Sequence, residues 1–431
     1  MKNKKLVIGL AYDKIPDEYS LEEKKYYADH GEGDSRLTIE SIINALEIAG
    51  TKVIEIPVMP DNIAHFIKAF EEKNNAYNLD MVFNIAEFFE TKNRESIVPA
   101  ILEGLRMPYT GSDLSAQAKA MNKADSLEIA VKYGVPVAPF YVFGKDDLAK
   151  LELDSFTKKF EKQLPVIVKP LGEGTSVGMT QNSVVNTIGE LKTIVRAILH
   201  SYNQPAMAQK FLDGKEYSVG ILGNIILPVL EIDLKKIPGN PDVRDAEVKE
   251  IDIKYSGPAK FSRKYTKVCH DAAVADFVLG CRHYNRLDFR EHSDGIIYFL
   301  ETNPLPGLNP ETSDFPKIAK MAGIEYNALV NMILREAIKS YDDIPRFKER
   351  FDEKRIAYLD EFIEPTMKAL QYYDFGVTTE FDEKPEDSSV SSYGIYRLVE
   401  AKKDLSQKHK NGFKKDERKD EKNDIAYQHS T

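Results

Sequence analysis

An apolar stretch, Pro165-Val166-Ile167-Val168, delivers Lys169 into a loop with glycines at 172, 174 and 178. Glycines let backbone N–H groups close on phosphate oxygens, and a lysine beside them supplies compensating charge. The same pattern fits a plain hairpin, and without a following GK[ST] it is not a Walker motif. Further on, Asn285-Arg286-Leu287-Asp288-Phe289-Arg290 and Ile296 to Leu300 read as facing strands around a turn at Ser293-Asp294-Gly295. The second strand runs into Glu301-Thr302-Asn303-Pro304-Leu305-Pro306-Gly307. In that hairpin Asp288, Glu301 and Asn303 converge as three oxygen ligands. Magnesium takes few protein oxygens and completes its octahedron with phosphate and water. Arg286 belongs beside them, aimed at an anionic intermediate. The competing reading is an exposed hairpin with solvated charges.

The elements that must position these residues alternate. Lys5 to Leu10 reads as a buried strand, followed by a charged loop from Asp13 to Asp34. Leu37, Ile39, Ile42, Ile43, Leu46 and Ile48 recur at helical spacing up to Gly50. Val53 to Val58 and Asp80 to Asn84 read as strands around a helix at Ile63 to Phe70. That alternation predicts a parallel sheet with crossover helices. Pro108-Tyr109-Thr110-Gly111-Ser112 is a tight turn, and the spacing predicts one long helix from Ala116 to Tyr133, ended by Gly134 and Pro136. Lys235 to Lys254, with Pro238 and Pro241, reads as a long surface loop of the kind that often acts as a lid.

The expected division is an N-terminal α/β domain over 1–120, a central body over 121–340, a helical extension over 341–382, and a linker with a charged tail over 383–431. The extension uses Ile356, Leu359, Phe362 and Ile363 at helical spacing. The tail carries too few apolar residues to form a core. A net charge of −10 argues against non-specific nucleic-acid binding. No apolar run is long enough for a membrane span. The start, Met1-Lys2-Asn3-Lys4-Lys5, is basic, but the apolar run after it is shorter than a signal peptide needs and lacks a cleavage site. Two cysteines, Cys269 and Cys281, fit a reducing compartment and have no zinc spacing. A cytoplasmic protein is expected.

Taken together, these blocks resemble the ATP-grasp superfamily, and within it the D-alanine–D-alanine ligases. The resemblance runs from about Lys5 to Ile338 and rests on Pro108 to Ser112, the Lys169 to Met179 loop, Glu216-Tyr217-Ser218-Val219, and Arg286 through Gly307. It implies an ATP-grasp fold: an α/β, three-subdomain ligase with an N-terminal parallel-sheet domain and α+β character in the nucleotide-binding part. It also implies ATP and Mg2+, or Mn2+ in its place. By resemblance, Lys123 and Lys169 hold nucleotide phosphates, with Glu173 and Ser176 in the glycine loop. Gln209, Lys210 and Leu212 form the strand at the adenine, with Gln209 where the family usually has an acid, and Glu216 takes the ribose hydroxyls. Asp288, Glu301 and Asn303 match the metal ligands. Arg286 and the backbone near Gly307 stabilise the intermediates. Lys254 and Tyr255 match the pair of a closing loop, Thr175 the partner of that tyrosine, and Ser313 a serine near the second substrate's carboxylate.

The departures fall on the amino-acid side. The family's histidine-glycine segment ending Gly-Glu-Asp-Gly after the third strand is replaced here by the stretch Asn84 to Ser96. The N-terminal acid that holds the first substrate's ammonium is missing, and Glu32 or Asp34 could replace it. The implied reaction is amide formation through an acyl-phosphate from small amino-acid or peptide substrates, while D-alanine does not carry over. Two alternatives stand: a ligase for a larger peptide, carrier-protein or biosynthetic intermediate, and a nucleotide-binding regulator without turnover. A homodimer and a protein partner at the C-terminal extension stay open.

Overall fold

The computed structural model describes residues 5–15, 20, 34–59, 63–88, 94–174, 178–342 and 344–371, with two short strands, Tyr396–Arg397 and Tyr427–Gln428. Glu32, Thr175 and Ser176 lie outside these residues, as does nearly all of the 383–431 segment.

The first sheet is parallel, in the order β2-β1-β3: β1 (Val7–Asp13), β2 (Lys52–Val58) and β3 (Met81–Asn84). Parallel neighbours need crossovers, supplied here by α1 (Arg36–Ile48) and α2 (Ile63–Tyr77). Ser35 caps α1 by accepting from the Thr38 N–H, and Ile39, Ile42, Ala45 and Leu46 turn one face inward. At the carboxyl ends of β1 and β3, where ligands of such sheets gather, Asp13 accepts from the Glu87 and Phe88 N–H groups. α3 (Ile97–Gly104) leads out of this region.

Two helices, α4 (Leu114–Met121) and α5 (Lys123–Lys132), replace the single one expected over Ala116 to Tyr133. Asn122 is extended, at φ −88° and ψ 98°, and its side-chain oxygen accepts from Ala124 and Asp125. A capping asparagine restarts the helix, so Lys123 becomes its first residue. The second sheet is antiparallel, β4-β7-β5-β6, built from β4 (Phe140–Phe143), β5 (Val166–Pro170), β6 (Val184–Val185) and β7 (Ala206–Lys210). α6 (Asp154–Phe160) and α7 (Ile188–Ser201) pack into its core, and Tyr427–Gln428 pairs with β4.

The third sheet runs β11-β10-β8-β12-β13, with β9 also on β8. Its strands are β8 (Glu216–Leu222), β9 (Ile225–Ile226), β10 (Leu230–Ile232), β11 (Ser256–Pro258), β12 (Tyr284–Glu291) and β13 (Ile297–Asn303). Tyr396–Arg397 pairs with β9. Between β10 and β11 the expected surface loop is instead folded around a short helix, α8 (Ala246–Ile251), with Ile237, Val243, Val248 and Asp252 buried. Burial is tolerable there because Arg244 pairs with both Asp252 and Asp314. α9 (Arg263–Leu279) starts at a Ser262 cap and ends at Gly280, whose φ of +81° favours glycine.

α10 (Asp314–Met321), α11 (Tyr326–Tyr341) and α12 (Glu353–Gln371) follow. Phe347, Phe351, Ile356, Leu359 and Ile363 share one core cluster with Leu6, Ile8 and Leu10 of the first sheet. Arg355 clasps Asp80 through both nitrogens, at 3.0 and 2.7 Å, and Asp80 also accepts from the Val7 N–H.

Candidate active site

β12 and β13 form the floor of a cleft of about 890 Å3, counted to its open mouth. Their register sets Arg286 opposite Asn303 and Asp288 opposite Glu301. Opposed residues, and residues two apart on a strand, share a face, so these four side chains point the same way. The register slips by one residue after Asp288, leaving Leu300 as the extra residue of a bulge. Bulges re-aim side chains beside sites, and both Leu300 and Glu301 line the cleft. Asp288 accepts from Ser218 Oγ at 2.6 Å, Asn303 Nδ2 at 2.9 Å and the Arg286 guanidinium at 2.9 Å.

The helix break at Asn122 puts Lys123 over this floor. Its Nζ lies 3.4 Å from Glu301 and donates to the Glu173 carbonyl of the glycine loop. Lys169, on β5, is only 6% exposed, and burial lowers its ammonium to about 8 against the pull of Glu301. Burial alone would raise the Glu301 carboxyl, but Lys123, Lys169, Arg286 and Lys249 bring it down to about 2. Glu301 is therefore ionised at neutral pH.

Gln209, Lys210 and Leu212 also line the cleft. Gln209 is buried; its Nε2 reaches the Ala138 carbonyl at 3.5 Å, while its Oε1 has no hydrogen-bond partner. Such an acceptor costs stability until a donor completes it. An amino group entering the cleft would do so. Glu216 pairs with Arg290 at 3.1 Å, and Glu173 accepts from Gln204 at 2.6 Å. Gly178 closes the glycine loop at φ +73°, where a Cβ would come within 2.7 Å of Pro170. Seven basic side chains line the cleft against four acids, in a chain of net charge −10. The local field favours a polyanion.

Other expected residues lie elsewhere. Gly307 and Ser313 are neighbours in the turn after Asn303, since a Cβ on Gly307 would sit 2.7 Å from Ser313 Oγ, but neither lines the cleft. Asn309 ties this turn to Ser35 at 3.2 Å. Lys254 is exposed and Tyr255 packs partly buried on the main core, both outside the lining. The same segment instead sends Arg244 and Lys249 into the cleft, residues the sequence did not single out. Glu95 lines a smaller adjoining pocket with Lys123, Glu301 and Asn303, and Arg94 lies 3.2 Å from Glu87 and 3.6 Å from Glu173. Their only signal was the altered stretch from Asn84 to Ser96.

Asp288, Glu301 and Asn303 offer two carboxylates and an amide oxygen, with no sulfur or imidazole. Such hard donors fit magnesium or manganese. Among the described residues no group of three or more His, Cys, Asp and Glu side chains is arranged to hold a metal ion. Phosphate and water would have to complete the shell.

Comparison with known proteins gives a family. The model described as D-ala D-ala ligase C-terminus matches residues 129–335. A D-alanine–D-alanine ligase of Geotalea uraniireducens is 34% identical over 56% of this chain and 74% of its own length. One from Gluconobacter oxydans is 31% identical over 69% of this chain and 92% of its own. In fold, the chain is similar to the D-alanine–D-alanine ligase of Bacillus anthracis complexed with ATP, with a TM-score of 0.55 at 20% identity over 78% of this chain and 99% of that one.

Proposed function

Because this chain belongs to the D-alanine–D-alanine ligase family, we propose that the cleft on β12 and β13 is the site where it activates a carboxylate with ATP. It is an ATP-dependent ligase that forms a carbon–nitrogen bond. The observation that carries the site is the convergence of Lys123, Lys169, Arg286, Asp288 and Glu301 in one cleft.

In this reading Lys123 and Lys169 bind the phosphates, and the Gln209 Oε1 takes the adenine amino group. A substrate carboxylate oxygen attacks the γ-phosphorus, the bond to ADP breaks, and an acyl-phosphate forms. The carboxylate itself is a poor electrophile, whereas phosphate leaves readily. The second substrate's amine then attacks the acyl carbon, loses a proton, and phosphate departs. In this reading Arg286 offsets the charge that develops on the transferring phosphoryl group and the tetrahedral intermediate. Asp288, Glu301 and Asn303 would hold a divalent ion, which when bound supplies charge neutralisation along the phosphates.

The family relatives are named for D-alanine. The loss of both first-substrate signatures, in the Asn84 to Ser96 stretch and at the N-terminal acid, is the reason to expect another amino acid in the first position here. ADP release with magnesium, ATP and a panel of D- and L-amino acids and short peptides tests both parts. Amino-acid-dependent ADP release is expected, with a substrate other than D-alanine preferred. Absence of such release across the panel would overturn the ligase site. D-alanine as the best substrate would overturn only the second part.

A further inference from the structure

Gln181 follows the glycine loop just before β6 of the second sheet, two residues beyond Met179, which lines the cleft. Its amide bonds in both directions to a segment on the third-sheet side. Oε1 accepts from the Asp242 and Val243 N–H groups at 2.9 and 3.1 Å. Nε2 donates to the Val243 carbonyl at 2.8 Å and to Asp245 Oδ2 at 2.7 Å. A primary amide offers two donors and two acceptor sites, and all four are used between these two segments.

The clasp continues into α8. The other oxygen of Asp245 caps that helix by accepting from the Val248 N–H at 3.1 Å. Just before the helix Arg244 reaches Asp252, at the far end of α8, and Asp314 at 2.8 and 3.1 Å. A helix of six residues cannot hold itself in water, so these contacts set where it lies. Lys249 on α8 lines the cleft together with Arg286 and Glu301. No carboxylate lies within ion-pairing distance of it among the described residues.

We propose that Gln181 is a positioning residue of the ligase reaction, clasping 242–245 so that α8 presents Lys249 to the anionic reacting groups. This rests on the cleft being the nucleotide site. With the clasp made, the cation is preorganised and water is kept from the acyl-phosphate. With it broken, α8 keeps the Arg244 pairs with Asp252 and Asp314 and its Asp245 cap, but Lys249 is held less firmly. Lys123, Lys169 and Gln209 keep their places, so MgATP binding and turnover should separate.

The test compares full-length wild type with Gln181→Leu, Gln181→Glu and the pair Gln181→Glu/Asp245→Asn. Three quantities are read: MgATP affinity by titration, kcat for amino-acid-dependent ADP release, and amide hydrogen exchange over 242–251. For Gln181→Leu, affinity should stay within about threefold, kcat should fall about tenfold or more, and exchange should quicken in that segment. Gln181→Glu loses its donors and repels Asp245, and the paired variant should recover part of kcat by facing an amide donor to the new carboxylate. Unchanged kcat and exchange in Gln181→Leu would overturn the proposal, as would a parallel loss of Tm, affinity and kcat. A wild type that binds no MgATP would instead sink the nucleotide reading, and this inference with it.

Discussion

Two sets of buried carboxylates, one on the cleft floor and one on the N-terminal side of it, are sent in opposite directions by their neighbours. On the floor, burial would raise Glu301, yet Lys123, Lys169, Arg286 and Lys249 hold it down at about 2. On the N-terminal side the neighbours are acids. Burial, with Glu87 adding to it, pushes Asp34 up to about 7 although the Asp13 N–H opposes the shift. Burial and Asp34 push Asp13 upward, and burial and Glu87 take Glu95 to about 8. Burial is common to both sets, so it is the company that separates them. The floor keeps its acid ionised among cations that suit a polyphosphate. The N-terminal side holds more carboxylate than it neutralises, and an ammonium group is the ligand that would relieve it.

The strongest way to break this contrast is Glu301→Gln. Removing the charge should leave a folded protein whose kcat for ADP release falls by about a thousandfold or more, as the proposed metal ligand and the partner of two lysines are lost together. Near-normal turnover at limiting magnesium would remove the floor's assigned role. Lys169→Ala should cost about 2–4 kcal/mol in kcat/KM for ATP, the size of a buried charge-assisted contact. An unchanged kcat/KM would make Lys169 a structural charge.

On the opposite side, Asp34→Asn sharpens the comparison. The new amide oxygen can still accept from the Asp13 N–H, which Asp34 now does at 2.8 Å. KM for the amino-acid substrate should rise about tenfold, as expected for one lost charged contact, while MgATP affinity stays level. If both change equally, the two regions are not functionally separate.

The parts of the molecule readable in advance are those fixed locally. The β12–β13 hairpin sets Asp288 opposite Glu301 by register alone, and the apolar spacing of Ile356, Leu359 and Ile363 marks α12. What escaped depends on distant partners. Asn122 sits in a helix-favouring run, and only its capping geometry shows the break that lifts Lys123. The charged, proline-bearing 235–254 segment reads as loop because its chief anchor, Asp314, lies 70 residues beyond Arg244. Arg355 likewise finds Asp80 across 275 residues. Arg94 stood out only as a departure, since its partners Glu87 and Glu173 come from different sheets' loops.

The smallest predicted effect bears on the floor most directly. Burial leaves the Lys169 ammonium at about 8, below its ordinary value, so a large share of it is neutral at pH 8.5. A bound polyphosphate favours the charged form and raises that value. Between about pH 8 and the ordinary lysine range, MgATP binding should therefore take up protons, and affinity should weaken as pH rises through that window. Titration calorimetry at pH 8.5 in two buffers of different ionisation enthalpy measures the uptake, expected at roughly half a proton or more. Lys169→Arg provides the control, because a guanidinium stays protonated throughout this range and contributes no uptake. Lys249 is also lowered by burial and by Arg244 and Arg286, so its share should survive in that variant. The difference between the two proteins isolates Lys169. Equal uptake in both would mean that the phosphates do not reach this lysine, and the cationic floor would then have to be assigned to some other anion.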